Sequence, residues 1–420
     1  MADRFIQKII KKVLGIGPAI FAIGFTIGTG SVTSMLVAGS TYGMQLLWVL
    51  LLSCFFSGIL IYVYGNYSLI TGDTALYAFR HKIRYGKAIG ILIILGILVG
   101  QWNSLMGIVG ITSNIFYEIF KIYFPGLADH KYGVVLVFAI GIIGIFYWLL
   151  LKGSYKFFEK ILVLFVSIMG LSFLFSLFFV FPLPEDIIKG LIPTIPEVKG
   201  GRMLVAAFVG TTMAAATFLS RPLFIRGKGW TEKDLDVQKR DAISASILIF
   251  VISGAIMAVA CGSMYYQGMP ITQVSDMPEA LVPVAGRLSA TIFFFGTLSA
   301  GLSSIFPILL IVPLLLADYE SGELDTSSVR FKITTGIASI IGLTIPIFGA
   351  NPVAGQILSQ VFNVFVLPLV IIGIIILINQ KSFKSKHQTS WWVNISLIAA
   401  FIFSLIISYN GVVALLNQLK

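Results

Sequence analysis

The chain has 420 residues, of which 57% are hydrophobic and only 11% are charged, against about 25% charged in a soluble globular domain. So little polar side chain cannot cover a surface in water, which excludes a soluble protein and predicts a lipid solvent. The net charge of +11 comes from basic residues scattered over several short loops, so we expect a lipid bilayer and no nucleic acid as partner.

Eleven apolar runs are long enough to cross a bilayer as helices, which takes about 20 residues each. In chain order they are 14–44, 46–70, 88–120, 133–151, 160–182, 202–225, 242–266, 285–317, 331–349, 355–379 and 391–416. The first run has no small-residue cleavage pattern, so we interpret it as a span and not as a signal peptide. No linker divides the chain, and we expect one all-α, polytopic transmembrane domain over residues 1–420.

The basic residues are divided unequally between the two sides of the membrane. If the N-terminus is inside, the inner segments hold 22 of the 29 Lys and Arg residues. Because cytoplasmic loops carry the excess of positive charge, this division predicts a cytoplasmic N-terminus and an outer C-terminus. We therefore expect a multi-pass protein of the cytoplasmic, or inner, membrane.

Two of the spans contain residues that weaken a helix at mid-membrane. Span one has Gly17-Pro18 and then the glycines of 28–31, which flank a Thr and precede a Ser. Span six has a cluster of hydroxyls over 211–217 and then Pro222, which lacks a helical donor. Glycine and a missing donor both destabilise helix interiors, so the sequence predicts that spans one and six are broken.

Broken backbone at membrane depth is tolerated where it lines a cavity or is buried in protein. Breaks at corresponding places in spans one and six predict two inverted five-helix repeats, spans 1–5 and 6–10, followed by an eleventh helix. Such an arrangement places a substrate site near the midplane between half-helix ends. An alternative is that these glycines only allow close helix packing.

Several ordered motifs carry a family resemblance. They are residues 17–31 and 38–53 in and after span one, 69–73 at the end of span two, 300–304 in span eight, and 359–368 in span ten. Together they resemble the NRAMP family of divalent-metal transporters, a branch of the LeuT-fold carriers. The resemblance implies a LeuT-type fold and secondary active transport, and not an enzyme.

The metal-ligand positions of the family differ in this chain. Where the family has D-P-G-N in span one, this chain has residues 28–31, which read G-T-G-S. Where the family has M-P-H in span six, it has three alanines at 214–216, and a second family histidine is matched by Arg221. The family's glutamine in span eight is replaced by Leu302, whereas Gln360 in span ten matches a ligand of the family type.

The breaks and the family positions together give a set of candidate substrate-binding residues. They are Gly28, Thr29, Gly30, Ser31, Thr212, Met213, Ala214, Thr217, Arg221 and Gln360. We expect no cofactor and no carboxylate or histidine ligands for a metal. The carboxylates Asp73, Glu118, Glu159 and Asp241 are placed at span ends, and the others, like the three histidines, in segments between spans or in the tail.

Three functions follow as hypotheses. The first is an NRAMP-like transporter of a divalent metal ion, with a proton or sodium as possible coupling ion, in which the substituted ligands disfavour Mn²⁺ and Fe²⁺. The second is a LeuT-fold carrier of a small organic anion or amino acid, because residues 27–30 also resemble the I-G-T-G element of amino-acid permeases and Arg221 is positive. In that hypothesis Arg221 faces the cavity; otherwise it snorkels to the headgroups. The third is a sensor or partner subunit without transport, favoured if side chains fill the cavity.

Catalysis is not predicted. The sequence contains no Ser/His/Asp set, no H-E-x-x-H motif and no phosphate-binding loop.

Overall fold

The structure is a computed structural model that describes residues 19–152, 155–196, 200–274, 276–321, 327–385 and 387–418. Within these ranges the regular secondary structure is helical, with no strand. Ten helical segments there are long and apolar enough to cross a membrane. Span one is the eleventh, because it is divided into helices of 8 and 14 residues. Its predicted beginning at 14–18, with Gly17 and Pro18, lies outside the described residues.

The observed helices follow the predicted spans closely. Span one consists of Ala19–Thr26 and Thr29–Tyr42, span two of Leu47–Thr71, span three of Gly86–Tyr123, span four of Lys131–Lys152, span five of Tyr155–Phe179, span six of Gly201–Thr212 and Ala215–Lys228, span seven of Leu235–Ser263, span eight of Asp276–Ser321, span nine of Val329–Gly342 and Thr344–Phe348, span ten of Pro352–Val364 and Leu367–Asn379, and span eleven of Trp391–Gln418. In the described residues, three short α-helices, Ala75–Lys82, Pro184–Gly190 and Lys381–Lys384, and three short 3₁₀ helices, Pro125–His130, Glu232–Asp234 and Tyr265–Gln267, lie between spans.

Spans one and six are broken, as predicted. The break in span one falls at Ile27 and Gly28, and the break in span six falls at Met213 and Ala214. Pro222 differs from expectation, because the helix Ala215–Lys228 continues through it. The interruption of span six therefore comes from the segment between Thr212 and Ala215 and not from the proline.

Span ten is also interrupted, at Phe365 and Val366, which we did not predict. The cause is Pro368, which has no N–H to donate to the carbonyl of Val364. The hydroxyl of Ser408 in span eleven donates to that carbonyl instead, at 3.1 Å. Span nine is interrupted at Leu343, close to Pro346, so the expectation of only two broken spans is corrected.

Span six lies at the centre of the helix assembly. Its apolar stretch is 94% buried inside the protein, whereas that of span four is 33% buried and faces outward. The N-terminal half of span six packs on the N-terminal half of span ten, and span ten packs on span three. Span seven packs on spans one and two, and span five packs on span eight. The two breaks are therefore enclosed by other helices.

The orientation in the membrane remains a prediction that a reporter can test. We expect a reporter fused after Lys420 to be outside and one inserted between Gly229 and Glu232 to be inside, because the positive charge lies on the predicted inner side. Alkaline phosphatase and green fluorescent protein fusions give opposite signals at the two positions. Equal signals at both positions would contradict the eleven-span arrangement.

Candidate functional site

The two breaks lie side by side and are joined by hydrogen bonds. The hydroxyl of Thr211 in span six donates to the carbonyl of Thr26, which ends the first helix of span one, at 3.1 Å. The hydroxyls of Thr26 and Thr217 are 3.4 Å apart. On the other side, Ser57 of span two donates to the carbonyl of Thr212 at 2.6 Å. Hydroxyls thus satisfy carbonyl groups that the broken helices leave without an internal partner.

A small cavity lies between the breaks. Its volume is about 10 Å³, which is the room that about one water molecule occupies. The residues that line it are Gly28, Gly30, Gln101, Ser104, Ile108, Thr211, Ala214, Ser304, Ile308, Gln360 and Asn363. Every one of these side chains is neutral, and their polar atoms are hydroxyl and amide groups.

Four of the predicted site residues line this cavity: Gly28, Gly30, Ala214 and Gln360. Others are engaged beside it. Ser31 lies 3.3 Å from the hydroxyl of Ser253 in span seven, and Thr212 donates to the carbonyl of Phe208 at 2.8 Å. Thr217 contacts Thr26, and Met213 is fully buried. The backbone of Thr29 begins the outer half of span one, but its side chain lies outside the described part of the structure.

A row of amides, which was not predicted, joins span three to span ten. Gln101 of span three donates to the Oδ1 atom of Asn363 at 3.0 Å, and Asn363 donates to the Oε1 atom of Gln360 at 3.0 Å. Gln360 in turn donates to the hydroxyl of Ser104 at 3.2 Å. The available signal was the presence of amide side chains inside otherwise apolar spans, since such groups are expensive in lipid and face the protein interior.

Gln356 connects this row of amides to the break in span one. With the amide of Gln356 assigned the orientation that satisfies its hydrogen bonds, its side-chain oxygen accepts from the N–H of Gly30 at 3.2 Å and from the Nε2 atom of Gln360 at 2.8 Å. Its own Nε2 atom donates to the carbonyl of Ser104 at 2.9 Å. A side chain at Gly30 would lie within 3 Å of the amides of both glutamines, so glycine is needed there for this close approach.

Arg221 does not line the cavity, and it does not reach the headgroups either. Its side chain is only 1% exposed, and its guanidinium forms an ion pair with Asp241 of span seven at 2.5 Å. It also donates to Gln238, whose amide donates to the carbonyl of Ile61 in span two at 3.0 Å. Both expectations for Arg221 are therefore replaced by a third: it fastens span six to spans two and seven, with its charge balanced by a carboxylate.

Asp318 lies in a helix and not, as had been expected, in a loop. It belongs to the helix of span eight and is fully buried. Its Oδ2 atom accepts from the N–H of Leu76 at 3.0 Å, in the first turn of the short helix Ala75–Lys82. Asp318 thus holds that helix against span eight at the predicted inner end of the spans.

A second cavity lies on the predicted outer side. It has a volume of about 500 Å³ and lies at the predicted outer ends of spans one, six and ten. Its lining comprises Val37, Thr41, Tyr42, Gly200, Met203, Leu204, Pro270, Ile271, Thr272, Ala354, Gly355, Ile357 and Leu358. At the predicted inner ends, Arg226 donates to the carbonyl of Gly72, and Lys228 pairs with Glu159. We refer to the outer cavity as the vestibule.

The whole chain resembles known membrane carriers. The family described as "Natural resistance-associated macrophage protein-like", Nramp, matches residues 19–414. The divalent metal cation transporter MntH of Vibrio campbellii is 24% identical over 96% of this chain and 92% of its own length. MntH of Bacillus subtilis is 25% identical over 93% and 90%, respectively.

Solved structures show the same fold. The manganese transporter of Eremococcus coleocola superimposes with a TM-score of 0.76 at 15% identity, covering 97% of this chain and 87% of the other. MhsT in complex with L-phenylalanine superimposes with a TM-score of 0.61 at 16% identity, covering 96% and 98%. The prediction of a LeuT-type fold, with two inverted repeats and breaks in spans one and six, is confirmed.

Proposed function

Because the chain belongs to the Nramp family of membrane transporters, we propose that it carries a divalent metal cation through the cavity between the breaks of spans one and six. We further propose that the preferred cation is a hard one of the Mg²⁺ type, which keeps part of its water shell. The observation that supports this choice is the cavity lining, whose polar groups are neutral amides and hydroxyls. The carrier would act in the cytoplasmic membrane.

The chemistry of the lining argues against tight binding of a bare transition metal. Thioether and imidazole groups favour softer cations, whereas carboxylate, carbonyl and water oxygens suit Mg²⁺ and Ca²⁺. Ala214 and Ala216 stand where the family pattern has methionine and histidine. Mg²⁺ dehydrates reluctantly and usually retains several waters, so amide and hydroxyl oxygens around a hydrated ion form a suitable, if weak, site.

The size of the cavity requires that the site open before loading. A space of about 10 Å³ does not accommodate a cation with its waters. The vestibule lies at the outer ends of the same spans, so separation of spans one and six from span ten would join the two spaces. In this proposal the described conformation opens toward the vestibule and is closed at the site itself.

Uptake in proteoliposomes tests the proposal. We expect saturable Mg²⁺ uptake by the purified chain. Because the cavity lining has no thioether or imidazole ligand, any preference for Mn²⁺ should be less than about tenfold, or about 1.4 kcal/mol. Thr211→Val and Gln360→Leu should each reduce Mg²⁺ uptake. Thr334→Val, which alters a half-buried hydroxyl of span nine bonded to Arg330, should leave it unchanged. Strong selectivity for Mn²⁺ over Mg²⁺ would contradict the hydrated-cation proposal.

The rate of uptake should depend little on pH. The side chains that line the cavity are amides, hydroxyls and apolar groups, and these do not titrate between pH 5.5 and 8. We therefore expect Mg²⁺ uptake at zero membrane potential to vary by less than about twofold over this range. A steep rise of uptake with external acidity, together with acidification of the vesicle lumen, would instead indicate a coupled proton.

The anion hypothesis has less support than the cation hypothesis. Its positive charge was assigned to Arg221, whose guanidinium is paired with Asp241 and not directed into the cavity. The same liposomes supplied with radiolabelled amino acids or dicarboxylates test it directly, and concentrative uptake of either class would revive it.

A sensor without transport is a second candidate, because the cavity between the breaks has a volume of only about 10 Å³ and hydrogen-bonded amide side chains line it. This candidate and the carrier share a prediction of ligand binding but differ in flux. Binding of Mg²⁺ to the purified chain by calorimetry, combined with no uptake by liposomes that contain it, would favour the sensor.

A further inference from the structure

The amides of Gln101, Asn363 and Gln360 form a hydrogen-bonded row with a single direction. Each donates its NH₂ group to the next acceptor: Gln101 to Asn363 at 3.0 Å, and Asn363 to Gln360 at 3.0 Å. Gln360 ends the row by donating to Ser104 and Gln356. All three residues line the cavity, and all three side chains are less than 5% exposed. We name this row the amide relay.

In this direction the relay presents the wrong end of Gln360 to a cation. The NH₂ group of Gln360 is the end nearest Gly30, since a side-chain carbon built at Gly30 would lie 2.5 Å from its Nε2 atom. The Oε1 atom is turned away and accepts from Asn363. An NH₂ group carries partial positive charge and has no lone pair to offer a metal ion, so in this arrangement Gln360 offers no ligand to a cation.

We propose that the amide relay has two directions and that a cation reverses it. This inference rests on the proposed cation transport. In the loaded direction the Oε1 atom of Gln360 faces the cation beside the oxygen of Gln356. The Nε2 atom of Gln360 then donates to Asn363, and Asn363 donates to Gln101. The bonds between Gln101, Asn363 and Gln360 reverse one for one, while Gln360 gives up its bonds to Ser104 and Gln356 for the contact with the cation. Gln101 and Asn363 are therefore positioning residues that set the orientation of Gln360.

Reversal is compatible with the packing of the relay. The terminal torsions of Asn and Gln are broad and nearly two-fold, so the NH₂ and oxygen ends exchange places without movement of the helices. Space for the row comes from glycines on span three. A side chain at Gly100 would overlap the Oδ1 atom of Asn363, and one at Gly107 would overlap Gln356. These glycines bring the amides of span ten against the backbone of span three.

Substitutions at Gln101 set the direction of the relay from its far end. Gln101→Glu, when ionised, only accepts hydrogen bonds, so it requires Asn363 to donate to it and fixes the loaded direction. Gln101→Lys only donates and fixes the empty direction. We expect Gln101→Glu to raise the affinity for Mg²⁺ by about tenfold or more, and Gln101→Lys to lower it similarly. Calorimetry with Mg²⁺ alone as ligand measures both.

The charges introduced at position 101 also act on the cation directly, and a second background separates the two effects. Asn363→Leu interrupts the relay and leaves the charge at position 101 in place. In that background we expect the Mg²⁺ affinities of Gln101→Glu and Gln101→Lys to lie closer together. The difference in the logarithm of their affinities should be less than about a third of the difference measured with Asn363 present. Gln101→Met, which removes both the donor and the acceptor without adding charge, controls for folding through its melting temperature.

The outcomes distinguish the relay from the proposed function. If Gln101→Glu and Gln101→Lys each change the Mg²⁺ affinity by the same amount with Asn363 present and with Asn363 replaced, the effect is a direct one of charge. That result would overturn the relay, while Mg²⁺ binding itself would stand. Loss of the effects only when Asn363 is replaced supports the relay. Failure of the unmodified chain to bind or transport any divalent cation would overturn the proposed function, and the relay with it.

Discussion

Arg221→Met is expected to lower the free energy of unfolding in detergent by about 3–5 kcal/mol, the usual cost of breaking a buried ion pair. The substitution leaves the carboxylate of Asp241 inside the protein, where its side chain is only 3% exposed, without its counter-ion. Fluorescence-detected thermal unfolding of the purified variant measures the loss.

Two control variants test whether the loss of stability comes from the unpaired buried charge. Arg330→Met removes the partner of Glu320 in a pair whose side chains are 57% and 52% exposed, and it should cost less than about 1 kcal/mol. The double variant Arg221→Met with Asp241→Leu should recover most of the loss, because no unpaired charge remains. A loss no greater in Arg221→Met than in Arg330→Met would mean that the buried pair does not fasten spans six and seven.

Gly210→Ala in span six is expected to abolish transport, whereas Gly144→Ala in span four is expected to have no effect on it. A side-chain carbon at Gly210 would overlap the backbone carbonyl of Gln360, so the outer half of span six must move away from span ten beside the site. Overpacking of this kind typically costs about 1–3 kcal/mol, and here it displaces the backbone that carries Gln360. Mg²⁺ uptake in liposomes is the measurement.

The matched control is Gly144→Ala in span four, where no atom lies within 4 Å of the added carbon. Removal of a glycine from a helix interior stabilises it by about 0.5–1 kcal/mol, so this variant should transport normally and melt no earlier than the parent. Normal uptake by Gly210→Ala would show that the contact between spans six and ten is not needed for transport.

The spans and the two central breaks could be predicted from the sequence because their causes are local. An apolar run of about 20 residues is a span wherever it occurs, and glycines beside hydroxyls weaken a helix in any context. Gly28, Gly30 and Ala214 were found at the site for this reason. Their neighbours in span ten were found only in part, since Gln360 came from the family pattern and Gln356 and Asn363 were missed.

The rest of the site depends on which side chains meet across spans. Gln101 and Ser104 lie more than 250 residues before the amides they contact, and a single amide in an apolar run does not reveal which helix it faces. The partner of Arg221 was missed in the same way: Asp241 follows a polar loop and was assigned to a span end, where an ion pair with span six was not expected. Asp318 was misplaced because the predicted end of span eight was one residue short of it.

Ser408 of span eleven provides a hydrogen bond that the backbone of span ten needs. Its hydroxyl serves the carbonyl of Val364 that Pro368 leaves without a donor, at a depth where an unpaired carbonyl costs several kcal/mol. Loss of span eleven by truncation would therefore leave a defect inside span ten at Val364, four residues after Gln360 and one after Asn363. A chain shortened to the ten spans of the two repeats would need a compensating change, such as replacement of Pro368 by a residue with an N–H, before it folded as well as the parent. Span eleven and the proline of span ten are thus expected to be gained or lost together.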